Sequence, residues 1–135
     1  MASIIPGTTV TYSEDLKWEP VGPLDDNGKG IFVSLVYGDL RTKGPTYFLM
    51  RYSAGVRAPR HMHSGDYYAV VVSGRFRHYL ESETECEILT TGSTWFQKGN
   101  VMHQDSCVGP EDCILGIFWP QGFDVEFAKE ERCPE

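Results

Sequence analysis

Positive charge is in short supply in this chain. Twelve lysines and arginines stand against nineteen aspartates and glutamates, for a formal net charge of −7. The basic residues gather into no patch, so the surface repels phosphate backbones and nucleic acid is not an expected partner. No run of 18 or more apolar residues occurs, which leaves no candidate membrane-spanning helix. The opening "MASIIPGTTV" lacks a basic n-region and a long h-region, so a cytoplasmic protein is expected rather than a secreted one. No segment holds a 3.6-residue period over 11 residues, and there is no internal repeat or low-complexity stretch. Cysteines number four, Cys86, Cys107, Cys113 and Cys133, with no C-x-x-C and no common zinc spacing. Cys107 and Cys113 flank the turn-like "VGPED" and could face each other across a hairpin. Without a secretion signal, reduced thiols packed as small hydrophobes are expected.

What the chain does have is punctuation. Turn signals such as "GPLDDNGKG", "GDLRTKGP", "HSGD", "TTGS" and "VGPED" recur at short intervals. Between them lie runs rich in β-branched and aromatic residues: 31–37, 46–53, 67–73, 75–80, "CEIL" at 86–89, 93–97, 113–119 and 123–127. Strands at this spacing predict an all-β sandwich or barrel. The aromatic share, 13%, suits either a β-rich core or an aromatic-lined pocket. At 135 residues a single domain is expected, with its core over about 31–127 and an N-terminal arm over 1–30. The first 25 residues and the charged tail "AKEERCPE" are expected to lie over the outside or to cap an opening.

Histidines also number four, at positions 61, 63, 78 and 103. His61 and His63 are two apart in a segment leading into a strand, where residues i and i+2 share a face, so both imidazoles could reach one metal. His103 follows the turn "KGNVM", at the start of another extended segment. Three converging imidazoles suit Fe, Zn, Cu, Ni or Mn. His78, in "RFRHYL", reads as an ordinary packed or surface histidine. The frame around the other three is more specific. Gly55 is followed by five residues, His61-Met-His63, three residues, Tyr67, six residues and Gly74. Gly92 is followed by five residues and then Lys98-Gly99-Asn100-Val101-Met102-His103.

This frame resembles the two motifs of the cupin superfamily: glycine, five residues, H-x-H, three or four residues, glutamate, six residues, glycine; then glycine, five residues, P-x-G-x-x-H. The resemblance covers about residues 46–120, including a 17-residue segment between Gly74 and Gly92. It implies an all-β cupin jelly-roll barrel of the small, single-domain kind, with one divalent metal held by His61, His63 and His103. Three positions depart from the motifs: Tyr67 stands for the glutamate, Lys98 for the proline and Asn100 for the glycine. Gly99, between the last two, can still make the turn.

Three functional readings follow from the missing carboxylate. Three neutral imidazoles leave an Fe(II) with open positions for a bidentate substrate anion and O2. Some small cupin dioxygenases, including cysteine dioxygenase and the acetylacetone-cleaving enzyme, are known for such sites. The resemblance thus implies an Fe(II) dioxygenase acting on a small diketone, phenolic or polyketide-like molecule. The same ligands could hold Zn2+ as a Lewis acid for redox-neutral cyclisation, isomerisation or decarboxylation. A non-catalytic ligand-binding or sensor barrel is the third. Tyr67 is the candidate catalytic residue, pointing toward the metal as ligand or hydrogen-bond donor, or else an aromatic filling barrel volume. Asp105 could share the face of His103 as an orienting acceptor, though a surface-turn aspartate is the plainer reading. Arg60, Arg75 and Arg77 could neutralise an acidic substrate, with solvated arginines as the default. The family also implies a homodimer.

Overall fold

The computed structural model describes residues 2–129. The strands are β1 (Ala2–Ile5), β2 (Thr8–Thr11), β3 (Glu19–Pro20), β4 (Ile31–Tyr37), β5 (Thr46–Tyr52) and β6 (His61–Met62). They continue with β7 (Tyr67–Ser73), β8 (Phe76–Tyr79), β9 (Thr94–Gln97), β10 (Gln104–Cys107), β11 (Cys113–Trp119) and β12 (Glu126–Phe127). One wall of the barrel is a six-stranded antiparallel sheet in the order β3-β4-β5-β11-β7-β9. The facing wall joins the ladders β12-β6 and β10-β8 through the bridges His61↔His103 and Arg57↔Ser106. This is the all-β barrel expected from the turn spacing and the jelly roll that the cupin resemblance implies.

Strand alternation sets the core. In β5 every second residue, Thr46, Phe48, Met50 and Tyr52, is buried, and in β7 Tyr67, Ala69 and Val71 do the same. Leu115, Ile117 and Trp119 of β11 complete the inner face. Phe48, Trp119 and Phe123 form an edge-and-tilt cluster with ring centroids 5.0–5.6 Å apart, within the range where aromatic pairs attract beyond area burial. Trp95 and Trp119 thus turn inward, while Phe96 and Phe118 lie on the outer face beside Tyr68.

Several local expectations are corrected. "CEIL" is not a strand: a 3-10 turn at Glu83–Glu85 precedes it, and Leu89 alone pairs, through an isolated bridge to Phe76. Of 123–127 only Glu126–Phe127 is strand, because Asp124 is drawn off to clamp Ser64. The short strand β6 and the β1–β2 hairpin carry no apolar alternation and lie outside the expected strands, whereas β10 is the extended segment expected to begin at His103. Part of the N-terminal arm enters the sheet, β3 pairing with β4 and Val21 packing on the core. Cys107 and Cys113 are buried free thiols that donate to the Glu111 and Arg75 carbonyls, and Cys86 is free as well. Cys133 and most of the charged tail fall outside the described residues. Among the described residues, no helix is long and apolar enough to cross a membrane.

Gly74 ends β7 at φ +93°, and a Cβ there would stand 2.7 Å from the Asp112 carbonyl oxygen and 2.8 Å from the Cys113 Cα. Both the backbone conformation and the contact oppose a side chain. Gly74→Ala is therefore expected to cost about 2 kcal/mol or more, read as a lowered urea midpoint. Gly44→Ala, whose nearest neighbour would be 3.8 Å away, is the control and should stay within about 0.5 kcal/mol. Equal losses in the two variants would contradict this account of the turn.

Candidate metal centre

The site begins with a backbone pairing. His61 and His103 lie opposite each other and exchange both main-chain hydrogen bonds, His61 N–H to the His103 carbonyl at 3.0 Å and the reverse at 2.8 Å. Directly paired residues of an antiparallel ladder put their side chains on one face, here the barrel interior. His63 follows two residues after His61, and its carbonyl accepts from Asn100 N–H at 2.7 Å. Asn100, not Gly99, takes the left-handed conformation at φ 64°, which asparagine tolerates better than most residues. Gly99 serves close approach instead: a Cβ there would sit 2.5 Å from the Ser64 carbonyl oxygen. The turn therefore needs both residues, in different roles.

Each imidazole is oriented by a carbonyl. Nδ1 of His61 donates to Pro59 O at 2.6 Å, Nδ1 of His63 to Asp124 O at 2.6 Å and Nδ1 of His103 to Val101 O at 3.0 Å. A carbonyl only accepts, so Nδ1 carries a proton, and in the neutral ring it is Nε2 that keeps the lone pair. Ligand atoms of the three residues lie within 4.8 Å of one another, and all three residues are buried. His103 Nε2 is fully enclosed with no hydrogen-bond partner. Burial pushes His63 and His103 down to about 4, so both are neutral at neutral pH. Three neutral nitrogen donors converging on one point, one of them otherwise unsatisfied, fit a divalent metal ion. The sequence-predicted triad is thus brought together.

Tyr67 is also brought to the site. It is 3% exposed, edge-on to His63 at 5.5 Å between ring centroids and 4.6 Å from Trp119. Its hydroxyl accepts from Trp95 Nε1 at 3.1 Å, and burial holds its pKa well above the usual phenol value. It is a neutral phenol.

Two residues discounted on sequence grounds belong to the same cluster. Asp105 is not a surface-turn residue but 5% exposed, in β10 opposite His78 in β8. Its Oδ1 stands 2.5 Å from His78 Nδ1, while its Oδ2 stands 3.4 Å from His61 Nε2 and 3.9 Å from His103 Nε2. His78 Nε2 meets Gln97 Oε1 at 2.7 Å, and Gln97 Nε2 in turn donates to Lys98 O at 3.1 Å, which fixes the amide orientation. Both His78 nitrogens therefore face acceptors, so the ring is an imidazolium paired with the Asp105 carboxylate. Burial alone would lower the His78 pKa and raise that of Asp105. Each instead moves the other way under its partner's influence. The available sequence signal was the two-residue offset from His103, which alternation places on the same face.

A pocket of about 320 Å³ opens onto the cluster. His61, His63, Tyr67 and Asp105 line one part of it, and Ile31, Met50, Leu115 and Phe123 line much of the rest. Among the described residues, Arg57 is the one arginine that reaches its rim, already paired with Glu83; Arg60, Arg75 and Arg77 do not line it.

The depressed histidines make acid sensitivity a prediction. His63 and His103 bind protons less readily folded, at about 4, than at the ordinary 6.5, so between these values the unfolded chain carries more protons. Stability is then lost as pH falls through that window. His78, whose folded pKa is raised, titrates above it and does not offset the loss. Metal-free protein should show a falling urea midpoint from about pH 6.5 to about pH 4.5, with part of the slope removed in His103→Gln. A midpoint constant over this range would contradict burial of neutral imidazoles.

No family model matches the chain, and no curated protein does. Solved structures do. The polyketide cyclase RemF from Streptomyces resistomycificus superposes with a TM-score of 0.69 at 16% identity, covering 90% of this chain and 85% of that one. KdgF from Halomonas sp. matches with a TM-score of 0.60 at 23% identity over 81% of this chain and 90% of its own. An RmlC-like cupin from Ralstonia eutropha JMP134 matches at 0.64 and 20% identity, over 85% of this chain and 76% of its own. At these identities the likeness is one of fold, and together with the two-sheet barrel it shows that this chain has the cupin jelly-roll fold.

Proposed function

We propose that the chain is a metal-dependent enzyme for a small, largely apolar molecule carrying two neighbouring oxygen donors, of diketone, phenol or polyketide type. The observation that carries this reading is the pocket itself: apolar side chains lead directly to three neutral imidazole lone pairs. A pocket so lined favours apolar bodies with a few polar anchors. Among the described residues no unpaired cation lines it, which argues against a substrate held by a remote carboxylate. Trp119 adds a buried indole N–H with no partner, a donor suited to an oxygen on the occupant. Tyr67 accepts from Trp95 and so keeps its own phenolic proton to donate.

For the reaction we propose O2-dependent oxidation at Fe(II), supported by a donor set of neutral imidazoles that leaves positions for both substrate and O2. The metal would supply coordination and activation of the substrate anion and of O2; the chain holds the imidazoles in one tautomer and excludes water. A redox-neutral reading, cyclisation, isomerisation or decarboxylation at Zn2+, is favoured by the likeness to RemF, a polyketide cyclase, over 90% of the chain. We also propose that the occupied form is a homodimer. The outer sheet face supports this: Tyr68 and Phe96 are exposed side by side there, with Phe118 on the same face.

Protein purified without chelators should contain about one metal per chain, and His103→Ala should lower metal affinity by at least about 100-fold. Absence of stoichiometric metal from wild-type protein would sink both enzymatic readings. Oxygen uptake with 1,3-diketones or catechols decides between them: uptake coupled to substrate loss supports the dioxygenase, and turnover without uptake supports the zinc reading. Tyr67→Phe should keep the metal yet lower kcat about tenfold or more if the phenol donates to the reacting molecule.

A further inference from the structure

We propose that Asp105 supplies a fourth protein ligand to the metal, taking the place of the carboxylate that Tyr67 replaces in the first motif. The proposal rests on the reading of His61, His63 and His103 as metal ligands and adds a residue that belongs to neither motif. Asp105 Oδ2 stands 3.4 Å from His61 Nε2 and 3.9 Å from His103 Nε2. Two donors bound at about 2.1 Å to one ion stand about 3.0 Å apart at a right angle and about 3.4 Å apart at the tetrahedral angle. Measured against His61 and His103, the separations lie at the top of that range and about half an ångström beyond it, so a small closure brings Oδ2 into place beside those two ligands.

The alternative to a shared ion is a salt bridge, and the distances oppose it. Charge-assisted N–H···O bonds run at about 2.7–2.9 Å, as the other oxygen of the same carboxylate shows by standing 2.5 Å from His78 Nδ1. His61 already donates through Nδ1 to Pro59 O, and His103 through Nδ1 to Val101 O. Their Nε2 atoms therefore present lone pairs to an anionic oxygen in a buried space. Lone pairs facing a carboxylate repel unless a cation stands between them. The other half of the arrangement orients the ligand: the imidazolium of His78, gripped by Gln97, holds Oδ1 and leaves Oδ2 directed at the site. This is how ligating carboxylates are commonly fixed from behind. All the donors then come from the wall containing β6 and β10.

The test compares wild type with Asp105→Asn, both loaded with Zn2+ for affinity and Co2+ for its visible spectrum. Loss of an inner ligand should weaken Zn2+ binding by at least about 100-fold and change the Co2+ ligand-field bands. A residue acting only from the outer shell would weaken binding by about 10–100-fold and leave those bands in place, which would overturn the proposal. Unchanged affinity would overturn it too. Because the isosteric variant could fail to fold, a crystal structure of Zn2+-loaded wild type gives the independent answer. Oδ2 within about 2.0–2.2 Å of the metal supports the ligand, and Oδ2 beyond about 3 Å excludes it. Metal bound by the three histidines with Asp105 standing off would overturn this inference alone, whereas wild type that binds no metal would overturn the parent reading with it.

Discussion

The exchange of main-chain hydrogen bonds between His61 and His103 is the constraint on which the rest depends. It joins the β12-β6 ladder to the β10-β8 ladder and so makes one wall out of two short pieces. It also puts two imidazoles side by side on the inner face without asking either side chain to choose a direction. His63 inherits its position from the period of two along the same segment, and the Asn100 N–H pins its carbonyl. Backbone geometry thus precedes and produces the ligand geometry. Long contacts close the remaining freedom: Asp124 accepts from Ser64 through its side chain and from His63 through its carbonyl, tying the end of the barrel to the site.

Burying three imidazoles beside a carboxylate is costly unless their protonation is settled. The protein settles it by partners of fixed polarity. Carbonyls on three Nδ1 atoms turn Nε2 inward, and burial suppresses the imidazolium of His63 and His103. Around His78 the same physics runs in reverse, because acceptors on both nitrogens keep the proton and supply the charge that Asp105 needs. Four histidines in one barrel therefore divide into three lone-pair donors and one cation, according to what faces each ring.

The fold was largely legible because its long strands are buried on one face, so β4, β5, β7 and β11 declare themselves by alternation or by dense apolar runs. The three histidines were legible through glycine spacing, since the turns that set the registers tolerate little else: Gly55, Gly74 and Gly92 all stand at positive φ. The burial on the strands that carry the chemistry was not. Gln104–Cys107 reads as polar, yet Asp105 and Ser106 are buried, because their burial is satisfied by partners far away in the sequence. Nothing local distinguishes Asp105 from a turn aspartate; its role depends on β8 lying alongside, where His78 sits 27 residues earlier. "CEIL" erred the other way, apolar enough for a strand but offered only one backbone pairing. Local pattern reports which face is apolar; it does not report which polar residue a neighbouring strand will neutralise.

Tyr67, standing where the first motif has a glutamate, shapes the wall opposite the histidines. A carboxylate at this position of β7 would place donors on both sheets and set the metal between them. With a tyrosine there, hydrogen-bonded to Trp95 and packed on Trp119, the six-stranded wall becomes continuous and mainly apolar from Ile31 through Met50, Leu115 and Ile117. The histidines and Asp105 all belong to the opposite wall and its leading segments. The space between is a slot with the histidines and Asp105 on one side and, on the other, a mainly apolar wall broken by the Tyr67 hydroxyl and the Trp119 indole N–H. Such a slot suits a flat molecule that coordinates through its edge and lies against aromatic and aliphatic side chains with its face. The residue that removes a carboxylate from the motif thereby shapes the pocket.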